Sequence, residues 1–353
     1  MFRVLVLNLG STSTKAAIYE DHQQVHQVTL RHTAIDLAPY AKVMDQLDYR
    51  KNTLETWLNE MNVSLESMDL FCVRGGLVKP IPGGIYQVTS AMIKDLEAET
   101  YGAHVSNTGM AIGYAWGQST GKEVIFLNAV VTDEMSDIAH ISGLKDVPRR
   151  SVFHALNQKQ IALEYAHSLG KTPQDLNLIV CHLGGGISVG AHERGRIVDV
   201  NNALEGDGPF SPERVGTLTS RALFDVLKAN HGDYESSQKQ LIGNGGMVSH
   251  FGTNDMKLLV ERAQSEAPVK LVVDAMIYQV AKEIGSKAVV FKGNVDQILI
   301  TGGLAYNAYL VQSLKDHVSW IAGVSVYPGE DELEALAAGA LRYLRKEESL
   351  QVY

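Results

Sequence analysis

At 353 residues the chain is long for one hydrophobic core, so two domains are expected. A formal charge of −9 with no run of Lys or Arg argues against a nucleic-acid partner and requires that any small anionic ligand be met by local basic residues. The two cysteines, Cys72 and Cys181, lack metal-ligand spacing, and no charged leader precedes the first strand, so a reduced, cytoplasmic setting without structural zinc is expected.

The first apolar strand, 4–7, runs into NLGSTSTK at 8–15, and strands at 15–20 and 25–30 follow across a polar turn. Amphipathic spacing predicts a helix over 43–61, then a short buried strand at 70–73 and a loop over 74–84 crowded with Gly and Pro. Helical patterns at 92–99 and 109–116 precede a strand at 124–127. A helix over 154–169 leads to an apolar strand at 178–181, the loop HLGGGIS at 182–188, and strands at 187–192 and 196–201. The same strand, loop, strand, turn, strand unit thus occurs twice. Helices are predicted at 218–229, 255–263 and 269–290, with a strand at 297–300 whose end, TGGLA at 301–305, opens a further helix. A strand at 324–327 and a helix at 331–345 close the chain. Residues 271–280 are apolar but carry Asp274 and Gln279 at helical spacing, which makes a packed helix and not a membrane span.

Glycine- and serine-rich stretches between strands are ordinarily turns. Here two occur as copies, one closed by Lys15 and the other opened by His182, and both leave amides and hydroxyls free to surround an anion. Phosphate binding is therefore expected of both loops, 8–15 and the one that carries Gly184, Gly185 and Gly186. Neither loop is a Walker A sequence, because the residues after Lys15 read as strand. The pair Gly302 and Gly303, between a strand and a helix, would let a ring or sugar approach the backbone. Strands mixed with helices and a duplicated unit predict an α/β fold of two domains, 1–150 with about 330–353 and then 151–329, facing each other across a nucleotide cleft.

Several stretches together resemble the acetate and butyrate kinase family, and the butyrate kinases within it: GSTSTK at 10–15, RGGL at 74–77 with PIPGG at 80–84, SVFHALNQK at 151–159, residues 182–190, DVNNAL at 199–204, GPFSPER at 208–214 and TGGLA at 301–305. The resemblance spans nearly the whole chain. It implies duplicated RNase H-like domains of the actin, Hsp70 and sugar kinase superfold, and reversible phosphoryl transfer between ATP and a carboxylate to give an acyl phosphate and ADP. It further implies Mg2+, a short-chain carboxylic acid as partner, no membrane or nucleic acid, and a homo-oligomer of at least two copies.

Carboxylate and γ-phosphate repel one another, so both need cations, and arginine suits forked recognition of each. By resemblance Arg74 orients the carboxylate, Arg214 stabilises the transferring phosphoryl, and His182 and His104 are active-site histidines. By the same likeness Asn8, Ser11, Ser13 and Lys15 meet the terminal phosphates and the magnesium shell, and Glu332 resembles the magnesium-associated acid. Where the family carries an aspartate this chain has Asn128, which keeps one acceptor but loses the charge, so a slowed enzyme is one expectation. Small residues at Gly76, Ala103, Cys181 and Ala203 match bulkier ones in acetate kinases, so a wider acyl pocket and a preference for butyrate or branched C4–C5 acids are expected. Acetate or propionate phosphorylation, a sugar kinase, and an actin-like ATP-driven binding protein are the alternatives.

Overall fold

The computed structural model describes all 353 residues, which divide into two units, Met1–Thr132 with Asp331–Tyr353, and Asp133–Glu330. The strands of the first are β1 (Arg3–Gly10), β2 (Ser13–Glu20), β3 (Gln23–Arg31), β4 (Leu70–Arg74), β5 (Ile85–Gln87), β6 (Glu123–Leu127) and, in the second segment, β12 (Leu350–Gln351). Those of the second unit are β7 (Asn177–Leu183), β8 (Ile187–Glu193), β9 (Arg196–Val200), β10 (Gln297–Gly302) and β11 (Val324–Pro328).

One sheet runs β12-β5-β6-β4-β1-β2-β3 and the other β11-β10-β7-β8-β9. Stripped of β5 and β12, the two have the same order and the same sense: an antiparallel meander (β1 to β3, β7 to β9) whose first strand pairs in parallel with one further strand (β4, β10), which pairs in parallel with a last one (β6, β11). Even the register shift in the meander recurs, at Ile18/Tyr19 and at Ala191/His192. The duplication seen in the sequence is thus a duplication of topology, and the fold is mixed α/β.

Central strands read as unbroken apolar runs because both faces are covered. In the first unit Leu5, Leu7 and Leu9 face a core that includes Met110, Ile112 and Trp116 of the helix Val105–Thr120. On the other face lie Val4, Val6 and Cys72, whose thiol meets the Leu336 carbonyl of the helix Glu332–Leu344. In the second unit Ile179, Cys181 and Leu183 pack against Val273, Ile277 and Ile284 of the helix Ala267–Val290, while Leu178 and Val180 meet Ile161 and Ala166 of the helix Ala155–Ser168. Alternation along each strand sends successive side chains to opposite cores.

Residues 133–150, grouped with the first domain on the sequence, are held by the second unit: the Ser136 amide bonds the Val198 carbonyl, and Arg149 bonds Asp199 and the Val200 carbonyl. The helix expected to open at TGGLA is a short 3-10 turn, Gly303–Tyr306, and the α-helix begins at Ala308 where the Asn307 side chain caps the Leu310 amide. Strand β5 was not foreseen because three residues after a Gly/Pro loop carry too little periodicity. No helix is long and apolar enough to cross a membrane.

Candidate functional site

The first of the two copied loops is a tight hairpin: Gly10 pairs with Ser13, leaving Ser11 and Thr12 as the turn, so Ser13 and Lys15 lie on β2 itself. Asn8 pairs with Lys15, and directly opposed residues share a sheet face, so Asn8, Ser13 and Lys15 project to one side. Arg74 ends β4 next to β1, and its Nη1 donates to Asn8 Oδ1 at 3.3 Å and to Glu332 Oε2 at 3.1 Å. Asn8 Nδ2 donates to the same carboxylate oxygen at 2.5 Å. The structure therefore joins Asn8, Arg74 and Glu332 in one partly buried cluster at the strand ends. Helix Glu332–Leu344 presents Glu332 in its first turn, where the helix dipole favours an acid.

Asn128 follows β6 in a left-handed conformation (φ 43°), which asparagine tolerates better than most residues. Its Oδ1 accepts the Gly84 amide at 3.0 Å and its own amide donates to the Gly84 carbonyl at 3.1 Å. His104 caps the helix Val105–Thr120, its Nδ1 accepting from the Ser106 amide at 3.2 Å. Asn107, passed over in the sequence, is fully buried and accepts the Leu77 amide at 2.8 Å, tying the loop after Arg74 to this helix start.

In the second unit the three glycines between β7 and β8 have three reasons to lack a side chain. A Cβ would stand 3.0 Å from His182 Nε2 at Gly184, 3.2 Å from Glu213 Oε2 at Gly185 and 1.6 Å from Arg214 Nη1 at Gly186. The loop is small because functional groups lie against it. Ser211 Oγ donates to the Gly185 carbonyl at 2.6 Å and locks the 208–214 loop onto it. Arg214 is half-buried, donates through Nη1 to the Ala203 carbonyl at 2.6 Å, leaves its enclosed Nε without a partner, and has no carboxylate in ion-pair range. Burial draws its pKa down and the neighbouring Glu213 carboxylate only partly offsets this.

His182, 1% exposed, is held from both sides: Nδ1 lies 2.8 Å from Asn157 Oδ1 and Nε2 lies 3.1 Å from Glu330 Oε2. The amide oxygen assigns a proton to Nδ1, so that ring nitrogen is the donor in the bond to Asn157. The ring of His154 stacks on that of His182, centroids 3.8 Å apart and planes 12° from parallel, with its Nδ1 2.9 Å from Ser188 Oγ. His154 was not singled out on the sequence, although His154, Asn157 and Gln158 occupy the same side of one helix start and bond Ser188, His182 and His192 of the adjacent strands.

Gly302 ends β10 with φ 92°, exchanges two backbone bonds with Gly329, and leaves no room for a Cβ, which would fall 2.3 Å from the Leu183 carbonyl. Gly303 is exposed with nothing within 4 Å of its Cβ position. Of the four small residues assigned to an acyl pocket, Gly76 is filled by Asn107, whose Oδ1 lies 2.5 Å from the Cβ position, and Cys181 is enclosed in the sheet core, its thiol pushed up by burial. At both positions small size serves packing. Ala103 is exposed beside His104, and Ala203 is buried with its carbonyl on Arg214.

Residues 143–338 match the acetokinase family. The chain is 45% identical to Butyrate kinase 1 of Clostridium acetobutylicum over 354 residues, covering 100% of each, and 44% identical to a probable butyrate kinase of Clostridium botulinum, covering 100% of this chain and 99% of the relative. Among solved structures it is similar to Porphyromonas gingivalis acetate kinase (TM-score 0.76, 18% identity, 98% and 100% covered). A propionate kinase from Francisella tularensis is also similar (TM-score 0.75, 18% identity, 96% and 99% covered). The fold is that of these kinases, and with such identity along its whole length the chain belongs to the acetokinase family.

Proposed function

We propose that the protein transfers a phosphoryl group reversibly between ATP and a short-chain fatty acid, butyrate or a branched C4–C5 acid, giving an acyl phosphate and ADP by direct in-line displacement. The observation that carries this reading is Arg214: a half-buried guanidinium with an enclosed, unpartnered Nε and no carboxylate in ion-pair range, lying against a triple-glycine loop and bonded only to a carbonyl. A half-enclosed cation that the neighbouring Glu213 compensates only in part favours an anion beside it, and a transferring phosphoryl group is such an anion.

His182 and His154 supply further N–H donors at the same loop for charge that develops on the equatorial oxygens, with Asn157 holding the His182 ring in place. In the first unit Arg74 orients the carboxylate of the acid, exchanging part of its bonding to Glu332 for the substrate, while Lys15, Ser11 and Ser13 meet the terminal phosphates. Asn8 and Glu332 offer hard oxygens, and no cluster of three acidic, His or Cys side chains exists that could hold a metal alone. That donor set fits Mg2+, which keeps several waters and is held by one or two protein oxygens plus phosphates. The ion would neutralise phosphate charge there. Gly184, Gly185, Gly186, Gly302 and Gly303 are assigned to the nucleotide.

Acid preference rests on Ala203 beside Arg214 and on the butyrate named for the full-length relative. Each packed methylene contributes about 1 to 3 kcal/mol of discrimination. Trapping of acyl phosphate as hydroxamate, with ATP, Mg2+ and each acid in turn, tests the proposal. Butyrate, isobutyrate or isovalerate should exceed acetate in kcat/KM. A preference for acetate, or phosphorylation of a sugar in place of an acid, would overturn it. We also assign the protein to the cytoplasm as an oligomer of at least two copies, which sedimentation of the purified protein would test.

A further inference from the structure

Arg50 is wholly buried, yet every group it bonds is neutral. From the helix Leu47–Glu60 it reaches the hairpin between β1 and β2: Nη1 donates to the Gly10 carbonyl (3.1 Å), the Ser13 carbonyl (3.1 Å) and Thr14 Oγ1 (2.9 Å), and Nη2 donates to the Ser11 carbonyl (2.9 Å). Nε is satisfied by Gln46 Oε1 at 2.9 Å. The remaining carbonyl of the turn, Thr12, accepts the His32 amide at 2.9 Å, and the His32 ring braces Thr14 Oγ1 from the other side. Four consecutive carbonyls, 10 to 13, are therefore all held from the interior.

A trans peptide points its N–H opposite to its C=O. With the Gly10 and Ser11 carbonyls drawn inward onto Arg50, the amides of Ser11 and Thr12 are turned outward. Neither has a hydrogen-bond partner within the protein, and both residues are exposed. Successive outward amides form an anion-binding concavity. Directly behind them sits a guanidinium with no counter-charge, whose pKa burial draws down. An anion on the turn would be the nearest compensation for it.

We propose that Arg50 is the positioning residue of the nucleotide phosphate site: it shapes the Ser11–Thr12 turn into an amide cradle and places a buried positive charge behind the bound polyphosphate. This rests on the nucleotide reading of the first hairpin given above. The test compares MgADP with adenosine, which lacks phosphate, on wild type, Arg50→Lys (charge kept, fork lost) and Arg50→Met (charge and fork lost). Calorimetric affinities are measured alongside KM for butyrate, kcat and Tm.

Affinity for MgADP should fall roughly tenfold or more in both variants, with Lys less affected than Met, while adenosine affinity and the KM for butyrate stay at wild-type values. If ADP and adenosine weaken together, in proportion to lost folded protein, or if neither changes, Arg50 is only a brace and the proposal fails. Gln46→Ala, which removes a single acceptor, gives the same comparison in milder form should the Arg50 variants not fold. A wild type that makes no acyl phosphate would refute the assigned reaction, yet the ADP-to-adenosine contrast would still judge Arg50.

Discussion

Gly186 and Gly303 are both glycines proposed to meet the nucleotide, but space distinguishes them. A Cβ on Gly186 would overlap Arg214 Nη1, whereas one on Gly303 would meet nothing. Gly186→Ala should displace the guanidinium and lower kcat by about a hundredfold with Tm nearly unchanged, because the loop can shed a side chain more easily than refold. Gly303→Ala should leave kcat alone and raise only the KM for nucleotide. Steady-state kinetics beside thermal melts would check both. Asn128 raises a different question, since an aspartate there would accept the same Gly84 amide and add a charge. Asn128→Asp should keep the fold and change kcat and its Mg2+ dependence; an unaltered rate would remove this side chain from the chemistry. Asn128→Ala, losing the bond and forcing alanine to a positive φ, should destabilise by about 1 to 2 kcal/mol in urea titration.

Among the elements, the helix Val105–Thr120 approaches its sheet through missing side chains. A Cβ on Gly113 would lie 2.7 Å from Val73 Cγ1, and one on Gly117 2.5 Å from Val124 Cγ2. Gly285, in the helix Ala267–Val290, has open space instead. Alanine improves intrinsic helix propensity at all three, by about 1 kcal/mol. Packing decides the sign: Gly117→Ala should destabilise by about 1 to 3 kcal/mol through overpacking, while Gly285→Ala should stabilise by about 0.5 to 1 kcal/mol. Chemical denaturation midpoints with unchanged slope would establish each. The close approach at Gly113 and Gly117 also seats the other end of this helix, where His104 caps and Asn107 pins the loop behind Arg74.

At the level of the whole molecule, buried histidines set the acid limit. His192 is enclosed, its Nε2 lies 3.0 Å from Gln158 Oε1, and desolvation pushes its pKa down to about 3, with Lys159 adding to the shift. Burial and Arg50 lower His32 as well. The unfolded chain takes up a proton at each near pH 6.5 and the folded chain does not, so stability is complete above that value and is lost as pH falls. His192 alone should contribute a slope of about 1.4 kcal/mol per pH unit down to its folded pKa. His192→Gln should flatten the fall in unfolding free energy between about pH 6 and 4 relative to wild type, measured by urea titration.

Much of this was legible in the residues. Apolar runs marked the central strands because both faces of each are buried, and the helix at 43–61, the two copied loops and the strands that lead into Arg74 and His182 followed from local patterns. Those patterns survive because period and turn chemistry are local properties. The motif likeness carried the family as well. Tertiary structure alone decided what the side chains touch: that Glu332 meets Arg74 and Asn8 across more than 250 residues of chain, that His154 stacks on His182, that Asn107 fills the space at Gly76, and that residues 133–150 belong with the second unit. Arg50 is the clearest case. In sequence it is one basic residue in an amphipathic helix; only folding removes it from water, denies it a carboxylate and sets it behind the loop, so that its unbalanced charge becomes informative.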